Sequence, residues 1–225
     1  MGEAVKIKWS HSSLKDYEGC QRRYHEVKVL KKYPFQETEA TIYGNVVHEA
    51  IELYIRDGKP IPEKYAQFKP VVDSFLAKPG RKFAEYEMAL TKDLKVCNWG
   101  SPNAWVRGIA DVLSIDDENL TAWCGDWKTG NNRYPDRDQL VLMSLMIFQH
   151  FPHIRKVNSA LLFIVKNDMV RMQMTRDQAE QFWWKYRERL ARMEESYAND
   201  VWNPNPTPLC KWCQDRKSTR LNSSH

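Results

Sequence analysis

The sequence predicts an α/β fold with a central mixed β-sheet flanked by helices. Helical segments come first, strand-like segments follow in two groups with a helical segment between them, and a long amphipathic segment comes last. Elements in this order bury their apolar faces by packing helices in layers on a sheet. Hydrophobic residues form 42% of the 225-residue chain, which is enough to build a core of that kind.

Helices are predicted from N-cap and stop signals and from apolar residues at helical spacing. The first follows an N-cap at Ser12 or Ser13 and is expected to run to about Val29. The second begins near residues 41–44 and stops at Gly58. The remaining helices are expected over residues 62–77, 135–151 and 175–199.

Strands are predicted where short segments rich in β-branched and aromatic residues end in turn residues. Consecutive strands are expected over residues 82–90, 105–115 and 120–128. Residues 157–166 and 169–174 are expected to pair as a hairpin across the intervening Asn-Asp turn. The strands on both sides of the 135–151 helix are therefore expected to belong to one sheet.

Two glycine-led motifs place an aspartate on each of two neighbouring strands. The first, GIADV, contains Asp111, and the second, GDWKTG, contains Asp126 and Lys128. Side chains two residues apart on a strand project from the same face, so Asp126 and Lys128 are expected to share a metal ion and a water. Carboxylate oxygens suit Mg²⁺ or Mn²⁺. This set of groups indicates metal-assisted hydrolysis of phosphodiester bonds.

Four short motifs occur along the chain in a fixed order: GNVVH at residues 44–48, GIAD at 108–111, DWKTG at 126–130, and Gln139. Together they resemble the PD-(D/E)XK nuclease superfamily. Within it, the chain is similar to the RecB/AddB-type branch, which includes the iron-sulfur CRISPR-associated adaptation nucleases. The resemblance spans residues 8–213 and implies a restriction-endonuclease-like core.

The resemblance assigns roles to the residues of these motifs. Asp111 and Asp126 are implied as catalytic carboxylates that bind the metal, and His48 as a further metal ligand. An imidazole ligand would bias the site toward Mn²⁺ without excluding Mg²⁺. Lys128 is implied to position or activate the attacking water.

Two other polar residues are implied to join the site. Relatives often carry an additional acidic residue on the preceding strand, and Glu87 is our candidate, with Glu85 competing for the role. Gln139 matches a glutamine that helps to hold the site and contacts substrate. Met143 stands where relatives usually have a tyrosine, so the second half of that motif departs from the family pattern.

The five cysteines are an odd number, which argues against a disulfide framework in a reducing compartment. Cys20, Cys210 and Cys213 match three of the four cysteines that hold a [4Fe-4S] cluster in the iron-sulfur relatives. The fourth is expected just past Cys213. Zinc on the C-terminal CxxC and inert thiols are the alternatives. Cys97 and Cys124 match no cluster position.

The last segment, residues 215–225, reads DRKSTRLNSSH and matches the conceptual translation of a widely used sequencing adapter. We expect residues 1–214 to form a single nuclease domain that is cut short at its C-terminus, which would explain the missing fourth cysteine. A natural basic tail is the alternative, and the codons of this segment would decide between the two.

Net charge and hydropathy give only weak information about which molecules the chain binds. Lys and Arg number 34 against 29 Asp and Glu, so the chain is mildly basic. No apolar run approaches the length needed to span a bilayer and no signal peptide is evident, so a cytoplasmic protein without a membrane partner is expected, in a bacterial or phage-infected cell.

The sequence thus predicts a metal-dependent deoxyribonuclease. The resemblance favours an exonuclease on single-stranded DNA or duplex ends, acting in phage or prophage recombination, repair or CRISPR-type DNA processing, with an unidentified partner protein. The alternative is a catalytically inactive DNA-binding or scaffold module of the same fold. Intact Asp111, Asp126 and Lys128 favour the enzyme.

Overall fold

The computed structural model describes residues 7–33, 36–130 and 133–213. They form two compact units. Residues 37–183 make up the first, here called the sheet unit, and the segments before residue 37 and after residue 183 make up the second, the terminal unit. The single domain over 1–214 stays a prediction, and residues 215–225 lie outside the described residues.

One mixed sheet runs through the sheet unit, with its strands in the order β1-β2-β3-β4-β5. β3 and β4 are parallel, whereas the other neighbouring pairs are antiparallel. The strand bounds are Arg81–Leu90 (β1), Val106–Asp116 (β2), Thr121–Lys128 (β3), Lys156–Phe163 (β4) and Asp168–Thr175 (β5). The predicted α/β class with a mixed central sheet is confirmed.

Helices precede, separate and follow the strands, as predicted. The α-helices of the described chain are α1 (His11–Gly19), α2 (Gln21–Tyr24), α3 (Glu39–Asp57), α4 (Lys69–Leu76), α5 (Arg137–His150) and α6 (Ala179–Asn199). Among them, none has a stretch that is both long and apolar enough to cross a lipid bilayer.

The prediction for the first helix is wrong in two respects. The N-cap is Ser10 and not Ser12 or Ser13. The Ser10 and Ser13 hydroxyls each accept a hydrogen bond from the other residue's backbone N–H, at 3.3 and 2.8 Å, which forms a capping box. The helix is also interrupted at Cys20, whose extended backbone (φ −168°, ψ 108°) separates α1 from α2 and from a π-helical turn over His25–Val29.

The helix predicted over residues 62–77 is divided into two. A 3₁₀ segment at Glu63–Phe68 precedes α4. Pro70 explains the division, because proline lacks the N–H that a helix interior requires but fits the first turn of a helix. In the observed structure Pro70 lies in the first turn of α4.

The core fixes α3 and α4 on the sheet. Val47 and Ile51 of α3 are fully buried and belong to one apolar cluster with Phe75 of α4 and Trp127 of β3. α5 connects the parallel strands β3 and β4, and its residues 140–148 are all buried. The buried face of α3 therefore holds its neighbouring residue His48 close to the end of β3.

Candidate active site

Strand register brings three acidic residues to neighbouring positions on three strands. The last pair of the β2–β3 ladder is Val112 opposite Gly125. One residue further along each strand, Asp111 lies opposite Asp126. In the β1–β2 ladder, the residue opposite Asp111 is Glu85. The order Glu85, Asp111, Asp126 therefore crosses β1, β2 and β3.

Glu85, rather than Glu87, joins this row. The backbone of Glu85 has φ of 48°, a left-handed conformation that costs a non-glycine residue about 1–3 kcal/mol. Glu87 is exposed and lies opposite Ile109. Strand alternation alone puts both glutamates on one face, so no sequence signal separates them. The structure does not bring the predicted Glu87 to this group and brings its competitor instead.

His48 reaches the strand ends because α3 approaches β3 closely. Gly44 lies one helical turn before His48, and a Cβ at that glycine would stand only 3.2 Å from the Thr129 hydroxyl oxygen. The glycine thus allows the helix to lie against the residue that follows β3. His48 Nε2 is 2.9 Å from the Trp127 carbonyl oxygen, which explains why the GNVVH motif pairs a glycine with a histidine four residues later.

The main chain of Trp127 orients two of the site's side chains. Its N–H donates to Asp111 Oδ2 at 2.7 Å, and its carbonyl lies 2.9 Å from His48 Nε2. A carbonyl can only accept, so Nε2 carries the hydrogen in this contact and Nδ1 of the neutral ring keeps its lone pair. Nδ1 lies 3.5 Å from Asp111 Oδ2.

The spacing of these donors is close to that of a metal site, and the His48–Asp111 pair lies within it. One ligand atom each from His48, Glu85 and Asp111 lies within 4.8 Å of the others, and within the described ranges this is the one such group. Two ligands about 2.1 Å from one ion lie at most about 4.2 Å apart. The 3.5 Å between His48 and Asp111 meets this limit.

Asp126 lies beside this group and pairs with the lysine of its own strand. Lys128 Nζ is 2.6 Å from Asp126 Oδ2, and the Gln139 amide donates to Asp126 Oδ1. The carboxylate is buried, whereas about a third of the Lys128 side chain is exposed. The predicted contact of Gln139 with the site is thus present. We call His48, Glu85, Asp111, Asp126 and Lys128 the acidic centre.

Burial and mutual repulsion shift the titration of the acidic centre. Burial raises the pKa of Asp111 well above its usual value, and the charges of Asp126 and Glu85 raise it further. Burial also raises the pKa of Glu85, with added repulsion from Glu52 and Asp126. The pKa of His48 is lowered, chiefly by burial, which favours the neutral ring.

These residues fit a divalent cation. Nδ1 of the neutral His48 ring faces Oδ2 of Asp111. The buried carboxylate of Asp111 is also repelled by the neighbouring carboxylates. Asp126 Oδ2 is buried and, among the described residues, accepts no well-directed hydrogen bond, although the Lys128 ammonium is near. A cation would satisfy these oxygens and relieve the repulsion.

The cysteine triplet, Cys20, Cys210 and Cys213, lies within the terminal unit. Backbone N–H groups donate to two of its sulfurs: Asn205 to Cys20 at 3.4 Å and Thr207 to Cys210 at 3.2 Å. The three sulfurs do not meet the 4.8 Å spacing of ligands to a single ion. Cys97 and Cys124, which match no cluster position, belong to the sheet unit.

Comparison with known proteins agrees with this geometry. The family model of the PD-(D/E)XK nuclease superfamily matches residues 8–80 and 68–217. The chain belongs to this superfamily. Nucleases of the superfamily generally use divalent metal ions, and this chain has a His-Glu-Asp group that could hold one. No curated protein matches the sequence.

Two crystal structures are similar to this superfamily member in fold. One is a proposed exonuclease from Eubacterium rectale, with a TM-score of 0.53 and 13% identity over 96% of this chain and 88% of that one. The other is SSO0001, with a TM-score of 0.44 and 14% identity over 95% of this chain and 85% of that one. At this identity, the first likeness supports the fold alone.

Proposed function

We propose that this protein is a metal-dependent deoxyribonuclease that hydrolyses phosphodiester bonds. The observation that carries the proposal is the convergence of His48, Glu85 and Asp111 to within 4.8 Å, next to the ion pair of Asp126 with Lys128. A scaffold module would gain nothing from this arrangement, because buried carboxylates that repel one another destabilise a fold unless a cation or a reaction uses them.

Four side chains would hold the cation: His48 through Nδ1, and Glu85, Asp111 and Asp126 through carboxylate oxygens. When bound, Mg²⁺ or Mn²⁺ supplies positive charge to the phosphate oxygens and makes a water more acidic. The Trp127 main chain keeps His48 and Asp111 in the orientations that ligation requires. Fixing ligands in this way is what supporting contacts do in metal sites.

Lys128 would act on water and phosphate. Its ammonium is held by Asp126 at 2.6 Å but remains partly exposed, so it can donate a hydrogen bond to the attacking water or to a phosphate oxygen. Gln139 orients the Asp126 carboxylate from the first turn of α5. Donors that are positioned before the reaction stabilise charge as it develops in the transition state.

The finer assignment is to an exonuclease on single-stranded DNA or duplex ends, in the RecB/AddB-type branch, with a role in phage or prophage recombination, repair or CRISPR-type processing. Its support is the resemblance of the motifs at residues 44–48, 108–111 and 126–130 and of Gln139. A cytoplasmic location and an unidentified partner protein belong to the same proposal.

For the cysteine triplet we propose three ligands of a [4Fe-4S] cluster. The support is the match to the iron-sulfur relatives and the backbone N–H groups that donate to Cys20 and Cys210, since hydrogen bonds to sulfur stabilise thiolates in such clusters. The fourth ligand and the origin of residues 215–225 are tested by the codons of the C-terminal segment.

The decisive experiment uses end-labelled single-stranded and double-stranded DNA, incubated with Mg²⁺, Mn²⁺ or EDTA and resolved by product length. We expect cleavage with either metal and none with EDTA. Mononucleotide or short products from the first time points would support the exonuclease, and internal fragments would replace it by an endonuclease. Binding without cleavage under every metal would favour the inactive module and overturn the proposal.

A further inference from the structure

A cavity in the sheet unit lies apart from the acidic centre. Its volume is about 460 Å³, and α4, β3, β4 and β5 line it. Small-molecule sites commonly measure ~300–1,000 Å³. None of the residues of the acidic centre is in its lining.

Strand register sets which side chains form rows on the face of the sheet at this cavity. Trp123, Asn158 and Gln173 are paired across β3, β4 and β5 and form one row of large side chains. The next row on the same face begins with Gly125 and Ala160, which have the smallest side chains. Val112, Leu162 and Phe75 pack over Gly125, so the cavity lies beside the Trp123 row and not over that glycine.

α4 and the residues after it form one wall. The lining residues of this segment are spaced like one face of a helix: Val71, Ser74, Phe75 and Lys78. Phe75 lines the cavity and also packs over Gly125, where a Cβ would stand 3.5 Å from its ring. The cavity thus has an aromatic and apolar interior beside a polar row.

The charge of the lining has a single sign. Lys78 and Arg171 are its only charged side chains, and both are cationic. Arg171 is exposed and donates through Nε to the Met169 sulfur, a weak acceptor, at 2.8 Å. In the described part of the chain, Arg171 has no carboxylate partner. The cavity therefore suits an anionic ligand.

The polar and aromatic side chains narrow the ligand class. Trp123 is half-buried against the core, which holds its indole in place while part of it faces the cavity. Asn158 and Gln173 offer amide donors and acceptors in the same row. We propose that this cavity binds a nucleotide, with the base against Trp123 and the phosphate at Lys78 and Arg171.

Two sources offer this chemistry: a free nucleoside monophosphate, which an exonuclease releases, and a nucleotide within a single DNA strand. Aromatic stacking with cationic contacts to phosphate binds single strands without sequence preference. The choice between these two sources rests on the proposed nuclease function. The proposal that the cavity binds a nucleotide does not rest on it.

The test uses an Asp111→Asn background in EDTA, so that any nuclease activity does not consume the probe. Binding of dAMP is measured by calorimetry, and binding of a fluorescent ten-nucleotide single strand by anisotropy. Trp123→Ala should weaken binding about tenfold, the usual effect of losing one base-aromatic stack. Arg171→Gln should weaken binding and, for the strand, lower the slope of log affinity against log salt by about 0.7.

Matched controls separate the cavity from general charge and aromatic effects. Lys166→Gln removes a cation from the turn between β4 and β5, and Trp184→Ala removes an exposed tryptophan, yet neither residue lines the cavity. Both should leave affinity within about twofold. Where Trp123→Ala lowers thermal stability, Trp123→Phe keeps an aromatic ring and should retain most of the affinity.

Weakening of both probes identifies a site that accepts free and strand-bound nucleotides, and weakening of the strand alone identifies a strand site. Equal effects of cavity and control variants, or affinity for both probes unchanged by Trp123→Ala and Arg171→Gln, would overturn the inference. Cleavage assays on the wild-type protein distinguish the failure of the two proposals. If the protein cleaves DNA with metal but the cavity variants bind both probes as the parent does, only the cavity proposal is rejected. If the cavity variants weaken binding but the wild-type protein does not cleave DNA, only the nuclease proposal is rejected.

Discussion

The acidic centre and the cysteine triplet differ in how far the chain itself assembles them. In the acidic centre, paired strands and a buried helix bring His48, Glu85 and Asp111 to within 4.8 Å. The cysteines are far apart in sequence, and backbone N–H groups contact the sulfurs of Cys20 and Cys210. In a [4Fe-4S] cluster each cysteine binds a different iron, so these sulfurs need not meet at one ion. The backbone hydrogen bonds of a sheet can hold charged side chains together although they repel one another. Cysteines on short turns depend instead on the bound cluster to order them.

The largest effect should come from removing a carboxylate of the centre. Asp111→Asn and Asp126→Asn keep the shape of the side chain but remove its charge, so each should lower the cleavage rate by at least about a thousandfold. Circular dichroism should show an unchanged fold. A variant that cleaves at a rate near wild type would remove that residue from the site.

Lys128→Gln should separate turnover from metal binding. The lysine acts on water and phosphate and not on the cation, so we expect the rate to fall about a hundredfold to a thousandfold. The rise in Tm on adding Mn²⁺ should persist. Lys166→Gln is the control for charge. If Lys128→Gln abolishes the Mn²⁺-induced rise as well, the lysine has a structural part in the metal site.

Glu85→Gln and Glu87→Gln form a matched pair on one strand. Glu85 lies opposite Asp111 and Glu87 opposite Ile109, so only the first should weaken Mn²⁺ binding, by about tenfold to a hundredfold. Calorimetry of Mn²⁺ binding to both variants measures this directly. If Glu87→Gln weakens Mn²⁺ binding more than Glu85→Gln does, Glu87 belongs to the site and the register of β1 changes when metal binds.

The repulsion within the centre should appear in the stability of the metal-free protein. Because burial raises the folded-state pKa of Asp111 above its unfolded value near ~3.9, the folded protein binds more protons there, and stability falls as pH rises through that interval. Asp111→Asn lacks this titration and should raise the unfolding free energy at pH 8 relative to that of the parent protein.

Urea unfolding of both proteins with EDTA from pH 5 to 9 checks this sign. The difference between them reports the charge of Asp111 together with its effect on the neighbouring carboxylates Glu85 and Asp126. A gain that is absent at pH 8, or that shrinks as pH rises, would contradict a raised pKa.

The smallest effect on cleavage should come from the cysteine triplet. Cys20→Ser should leave the cleavage rate within about twofold, because the acidic centre is assembled within the sheet unit, which does not contain Cys20. In a chain with the natural C-terminus it should remove iron, sulfide and visible absorbance together. An anaerobically purified extended protein without iron would reject the cluster.

The sequence by itself determined the elements that short-range chemistry controls. The five strands are found where apolar alternation and turn residues predicted them. The aspartates and Lys128 lie on β2 and β3, His48 on α3 and Gln139 on α5, and the roles assigned to them stay predictions. Two helix starts differ from the predicted ones, because Ser10 caps α1 through a pair of hydrogen bonds with Ser13 and Pro70 lies in the first turn of α4.

Only the tertiary structure decided which residues meet across strands. Side chains on a strand repeat every two residues, so the sequence cannot separate Glu85 from Glu87; the pairing of β1 with β2 does so. The role of Trp127 was equally hidden, since it acts through its backbone N–H and carbonyl. The cavity beside Trp123 likewise combines residues of α4 with residues of three paired strands, so no single segment of the sequence shows it.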